Sequence, residues 1–340
     1  LLLTGTPSPN RPEELFTLLS ALRPCFAGSY THFTTRYCDR KQGFFGVDVS
    51  GATNKEELSF LLKKACMIRR LKDDVLKDLP SKMRSQVLVE LSNKEMKPMK
   101  EPTARLAAIN QKIFSLKPGS EEARLLDFER KALINQLFCL NDVAKSKVGC
   151  EVMLQALQEV NKLVIFGYHR SILNALEEKL KSKNVTYFRI DGSTPLEARQ
   201  RGVERFQDPS KDCRVALLSL GAANSGLTLT AASHMLFVSL HWTPAELLQA
   251  EDRCHRIGQT SSVHVRYLIA QDTVDERMWS KINGKVETTT AVLNGSSATF
   301  EADETTFERE PEEEEAAVAT VAVEHGVEST GDVFHILETL

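Results

Sequence analysis

From Lys145 to Leu293 short apolar runs alternate with helix-length amphipathic stretches, and this alternation constrains the fold more than any other feature. Leu163–Phe166 reads as a strand, followed by a helix from about Ser171 to Lys181. Thr186–Ile190 reads as a strand ending at Asp191-Gly192. The next helix opens with Thr194-Pro195 and Glu197, a capping box with proline at the first helical position. Val215–Leu218, Met235–Leu240 and Val263–Ile269 are further strands. Thr243-Pro244 with Glu246, and Thr273 with Glu276, repeat the helix-start signal. Strands alternating with helices of about 10–15 residues predict an α/β fold, a parallel sheet flanked by helices.

Val215 to Ala245 contains no Asp, Glu, Lys or Arg and is long enough to span a bilayer. Gly221, Asn224, Ser225 and Gly226 interrupt it, so it reads as two buried strands around a loop rather than a membrane span. The seven cysteines are scattered, odd in number and without a C-x-x-C pair, which argues against a disulfide scaffold or zinc ribbon and for a reducing compartment. No histidine or cysteine spacing marks a metal site.

The first 144 residues are less regular. Leu1-Leu2-Leu3 running into Thr4-Gly5-Thr6-Pro7 reads as the end of a buried strand and a loop. Arg11–Leu22 and Asn54–Ala65 have helical spacing around an aromatic, glycine-rich patch, and Val87–Leu91 makes a short strand. Lys94–Leu140 is polar and helical, broken near Pro118-Gly119. Charge divides the 340 residues unevenly. The net of −3 hides a tail, Ser296–Leu340, with 13 acidic residues and one basic, against 42 basic and 33 acidic side chains in residues 1–295. A basic body suits a polyanion, and the tail reads as mostly disordered.

Three stretches carry chemistry. On a helix starting at Pro244, Gln249, Arg253 and Arg256 share one face. Two guanidiniums side by side call for an anion such as phosphate, or for Glu251 and Asp252 as structural partners; spacing alone leaves both readings open. Ser219–Thr230 follows a strand, where ligands bind in parallel sheets, and its small residues let backbone N–H groups approach phosphates; an ordinary glycine-rich turn is the plainer reading. Asp191–Thr194 opens a helix at another strand end. Trp242 could stack on a base, or simply fill the core.

In their order, T-G-T-P, the Met67–Val75 block, V-I-F, D-G-S, S-x-x-A-A-N-x-G-L-T and Q-A-E-D-R-x-H-R-I-G-Q resemble the Swi/Snf-type ATPases of helicase superfamily two over about residues 1–293. A-A-N-S-G-L-T with Gly221, Arg36-Tyr37-Cys38, and Asn54 with Glu57-Leu58 resemble the HepA-related (HARP) annealing-helicase branch, which includes a zinc-finger-bearing annealing helicase and endonuclease. The resemblance implies a RecA-like lobe two at 145–293, preceded by a lobe-one remnant with a helical protrusion at 1–91 and a helical insertion at 92–144, with an acidic tail at 294–340. It implies a DNA-dependent ATPase, nuclear, that moves on duplex DNA, reanneals strands and remodels forks in DNA repair. Arg253 and Arg256 would be arginine fingers, and Gln249, Asp252 and Gly226 would bind ATP. Gly192, Ser193, Asn224, Thr228 and Trp242 would line the DNA track, and Thr4, Gly5, Thr6 and Pro7 would couple the lobes. Expected partners are duplex, forked or branched DNA and, for the tail, a protein. The alternatives are a DNA-binding or regulatory module without catalysis, and a chromatin remodeller of the same superfamily. The sequence holds no G-x-x-x-x-G-K-[ST] phosphate loop and no D-E-x-H box, which would cradle ATP and its Mg2+. It also holds no H-N-H nuclease signature. The 340 residues are therefore expected to be the C-terminal part of such an engine, inactive alone.

Overall fold

The computed structural model describes residues 1–295 and 300–309, without the side chains of Asp73, Ala223, Asn224 and Ser225. A short 3-10 turn, Pro12–Glu14, leads into α1 (Leu15–Leu22), followed by α2 (Tyr30–Tyr37), a hairpin of β1 (Lys41–Gln42) and β2 (Val47–Asp48), α3 (Lys55–Ala65) and α4 (Lys72–Val75). Next come β3 (Lys82–Val89), α5 (Asn93–Ser115) and α6 (Glu121–Glu159). Then β4 (Leu163–Gly167), α7 (Arg170–Ser182), β5 (Tyr187–Ile190), α8 (Leu196–Gln207), β6 (Val215–Ser219) and β7 (His234–Phe237) alternate. The series ends with α9 (Pro244–Glu251), β8 (Val263–Ala270), α10 (Val274–Asn294) and β9 (Asp303–Thr306).

Seven strands form one parallel sheet in the order β5-β6-β4-β7-β8-β3-β9. Its central strands are covered on both faces, which is why they read as unbroken apolar runs: all five residues of β4 are buried. The register lines up Phe166, Phe237 and Tyr267 across β4, β7 and β8. Their rings stack at 4.9 and 4.6 Å between centroids. One core lies on this side of the sheet, and a second, built on Leu163, Ile165, Leu217 and Leu236, lies on the other. A third cluster joins α1, α2 and α3 to the end of α10 through Leu58, Leu62, Val292 and Leu293.

The structure departs from the sequence reading in five places. β3 is not confined to a separate N-terminal unit: it pairs along its whole length with β8. α6 runs unbroken through residues 144 and 145, because its apolar positions continue from Leu137 to Leu157. Leu1 to Leu3 form no strand and are exposed, with no neighbouring strand among the described residues to pair with. Residues 303–306, placed in a disordered tail by their acidity, form β9 on the edge of β3, and Arg309 beyond them pairs with Glu95 and Glu151. The rest of the tail, 310–340, lies outside the described residues. The expected Thr194 capping box does not form either. Its hydroxyl instead accepts the Asp191 amide at 3.0 Å, and Pro195 takes the cap position of α8.

Two helical glycines differ in what surrounds them. A Cβ on Gly202 would lie 2.5 Å from the buried Phe188 ring, whereas one on Gly284 in α10 would meet nothing within 4 Å. Gly202→Ala should therefore lower stability by about 1–3 kcal/mol through overpacking. Gly284→Ala should raise it by about 0.5–1 kcal/mol through helix propensity and reduced chain entropy. Urea unfolding midpoints of the two variants check both signs.

Candidate functional site

Pro244 starts α9 because its fixed φ suits the first helical turn and its missing N–H costs nothing there. The eight-residue helix ends at Glu251, whose side chain is fully buried. Oε1 of Glu251 accepts Nε of Arg84 at 2.6 Å and the Tyr267 hydroxyl at 2.8 Å. Oε2 accepts Nη2 of Arg84 and Nζ of Lys82, each at 2.7 Å. Burial pushes the carboxyl up, but the charge of Lys82 and the forked hydrogen bonds of Arg84 outweigh it and bring it down to about 2. Asp252, next along, pairs with Lys72 at 2.5 Å.

Both carboxylates of the segment are thus occupied elsewhere, and neither pairs with Arg253 or Arg256. Nε of Arg253 is buried without a hydrogen-bond partner among the described residues. Burial and the nearby Arg256 both lower the Arg253 guanidinium from its ordinary value and outweigh the opposing charge of Asp252. Arg256 donates through Nη1 to the Leu227 carbonyl at 3.3 Å, and the Leu229 amide donates to the Arg253 carbonyl at 2.9 Å. Those bonds lay the loop after β6 against the arginine turn. Gln249 reaches the other way: its Nε2 donates to Thr6 Oγ1 at 2.9 Å. The structure therefore brings together Gln249, Arg253, Arg256, Gly226, Thr228 and the Thr4–Pro7 segment from across 243 residues of chain. Within that segment the Thr6 amide donates to Thr4 Oγ1 at 3.1 Å, and Gly5 is exposed.

Gly226, exposed and with φ +71, closes the 3-10 turn Leu220–Ser225 in a conformation that favours glycine. Its loop leaves the carboxyl end of β6, and Gly192-Ser193 leave the carboxyl end of the neighbouring β5. Gly192 has open space where a Cβ would be. The Ser193 hydroxyl already donates to Asp191 Oδ1 at 2.6 Å. The Asn224 side chain lies outside the described ones. Trp242 corrects the reading that placed it on a ligand track: it is 5% exposed, edge-on to Phe138 at 5.9 Å, and offers no face for stacking.

With this geometry in view, residues 1–147 match the SNF2-related domain and residues 145–258 match the helicase conserved C-terminal domain. The chain is a SNF2-related protein with a helicase C-terminal domain. It is 42% identical over 288 residues to the SWI/SNF-related matrix-associated actin-dependent regulator of chromatin subfamily A-like protein 1 of Xenopus tropicalis, covering 84% of this chain and 29% of that protein. It is 40% identical over 310 residues to the DNA annealing helicase and endonuclease ZRANB3 of Homo sapiens, covering 89% of this chain and 28% of that protein. The chain thus spans about three tenths of the length of these relatives. The crystal structure of the C-terminal part of the Fun30 ATPase domain shares the fold, with a TM-score of 0.51 at 20% identity, over 60% of this chain and 89% of that one.

In this SNF2-related chain several conspicuous motif residues turn out to brace the fold. His255 bonds the Pro80 carbonyl at 2.8 Å, and Gln259 donates to the carbonyls of Ala232 and Cys254. Sequence reasoning missed a buried network on α6. Lys145, with no exposed surface, lies 2.8 Å from Asp275 and 3.6 Å from Asp142. Burial disfavours its charge, but Asp275 and Asp142 more than offset that and raise it. The signal was present as Asp142 and Lys145, i and i+3, inside the apolar stripe of Leu137, Phe138 and Val148. Among the described residues no group of three or more His, Cys, Asp or Glu side chains is placed to hold a metal ion.

Glu251→Gln keeps the shape of the side chain and leaves Arg84 and Lys82 without an anion. Its cost should be about 3–5 kcal/mol at pH 7. Because the carboxyl is lowered on folding, its contribution is complete above the ordinary value of 4.5 and is lost as pH falls toward about 2. Denaturant unfolding of wild type and variant at a series of pH values should show two stability curves that converge between those limits.

Proposed function

We propose that these residues form the C-terminal part of a nuclear DNA-dependent ATPase that moves on duplex DNA, reanneals unwound strands and remodels forked or branched DNA during repair. The observation that supports the reading most is the pair Arg253 and Arg256, without a carboxylate ion pair among the described residues and beside a loop of small residues, on the segment that follows Gln249, whose own side chain bonds Thr6. A buried guanidinium nitrogen lacking a partner fits the phosphates of ATP. ATP would supply phosphoryl-transfer chemistry when bound; Arg253 and Arg256 would stabilise the charge that develops on it, as arginine fingers do. Gln249 and Gly226 would sit beside the nucleotide. Asp252 would act there indirectly, by holding Lys72. The Mg2+ that accompanies ATP would be held by groups other than a cluster of this chain's described residues.

Gly192, Ser193, Asn224 and Thr228, on two loops leaving neighbouring strand ends, would meet the DNA backbone. Thr4 to Pro7 would report the state of one lobe to the other through the Thr6–Gln249 bond. The acidic residues beyond Arg309 would bind a protein partner. The names of the relatives, an annealing helicase and a regulator of chromatin, favour DNA as the substrate.

Two measurements test this reading. The 340-residue chain, which lacks a phosphate loop, should bind forked DNA with an affinity that falls steeply with salt, and should not turn over ATP. In the protein that carries this chain behind a phosphate loop, Arg256→Ala should lower ATP turnover by about a thousandfold and leave DNA binding within a few fold. Turnover by the isolated chain would remove the first part, and unchanged turnover in Arg256→Ala would remove the finger role.

A further inference from the structure

Three side chains on and beside α6 form a relay that the proposed motor does not use. Cys139 is exposed, and its Sγ lies 3.1 Å from Nε2 of His169. The other ring nitrogen, Nδ1, lies 2.8 Å from Oδ2 of Asp142. Asp142 has no exposed surface, and the same oxygen accepts the Ser239 hydroxyl at 2.6 Å. The His169 ring is wedged edge-on between Phe138, at 4.7 Å, and Tyr168, at 4.8 Å.

The order is nucleophile, base, orienting carboxylate. Asp142 fixes the proton on Nδ1, which leaves Nε2 facing Cys139. Burial disfavours a charged imidazole here, but the hydrogen bonds and charges of Asp142 and Cys139 outweigh it and raise His169 to about 9. Transfer of the Sγ proton across the 3.1 Å contact to Nε2 gives a thiolate beside an imidazolium, the pair in which a cysteine acts as nucleophile. The other cysteines lack it. Cys38, Cys150, Cys213 and Cys254 are buried, and Cys66 bonds the Leu62 carbonyl. Cys25 is exposed like Cys139, and among the described residues no imidazole bonds to it.

We infer that Cys139 is a modification site for peroxide-class oxidants, activated by the His169–Asp142 pair. The thiolate sulfur attacks one oxygen of hydrogen peroxide. An S–O bond forms as the O–O bond breaks, and the departing hydroxide takes the Nε2 proton of His169 and leaves as water. Sulfur is oxidised to the sulfenic acid, the peroxide is reduced by two electrons, and His169 is left neutral.

The test is a time course of hydrogen peroxide treatment on the 340-residue chain, with sulfenic acid trapped by dimedone and quantified by mass spectrometry at Cys139 and Cys25. Cys139 should label at least about tenfold faster than Cys25. His169→Gln and His169→Asn should bring Cys139 down to the Cys25 rate and leave Cys25 unchanged. A wild-type Cys139 no faster than Cys25 overturns the inference whether or not the variants fold. So does a folded variant of either kind that keeps the wild-type ratio.

Discussion

The Glu251 carboxylate has no contact with water, yet burial has not neutralised it. Four donors from Lys82, Arg84 and Tyr267 replace the solvent it lost. Two consequences follow from that one anion. It ties β3 to α9 and β8, so a strand at residues 82–89 joins a sheet whose other strands all lie beyond residue 162. It also commits the nearest carboxylate to Lys82 and Arg84, so the arginines two and five residues further on have to find their counter-charge elsewhere. Tyr267 links this anion to the aromatic stack across β7 and β4, and Arg84 covers Phe300 at 4.4 Å, so the polar centre is held by the core around it. Polar and apolar packing here depend on each other.

Much of the second half could be read from local pattern. Leu163–Gly167, Val215–Ser219 and Val263–Ala270 are apolar because both faces of a parallel sheet are covered, and such runs announce themselves. The glycine-rich loop after β6 was visible for the same reason, as was the nearness of Arg253 to Arg256, but the single helical face expected for Gln249, Arg253 and Arg256 was not borne out: α9 ends at Glu251 and both arginines lie in the turns beyond it. What stayed hidden is pairing between distant segments. Lys82 to Gln86 carry mixed polarity and look like a charged connector, and only the partner strand β8 makes them a strand. Likewise Asp303–Thr306 read as tail because edge strands do not need apolar side chains. The role of Glu251 needed Arg84, 167 residues away, to be seen. Trp242 followed the commoner fate of a tryptophan, because Phe138 on α6 fills the space its ring faces.

The α6 helix gathers what the sequence reading divided between an insertion and a lobe. One stretch, Cys139 to Lys145, supplies the exposed thiol, the carboxylate that orients His169, and the buried ammonium that meets Asp275 on α10. A helix that crosses a domain boundary with ionisable groups facing inward fixes the two sides in one arrangement, since any slip would strand a charge in the core. In this chain the arrangement brings Thr6 to Gln249, and with it the segment expected to couple the lobes.

The central claim is that Arg253 and Arg256 are held ready for an anion because Glu251 and Asp252 are taken. Isothermal titration of the 340-residue chain with inorganic tripolyphosphate tests it most directly. The account predicts one binding site, lost in the Arg253→Gln, Arg256→Gln double variant and retained in Arg189→Gln, whose arginine is already paired with Glu177 and Asp191. Equal binding heat in wild type and the double variant would contradict it.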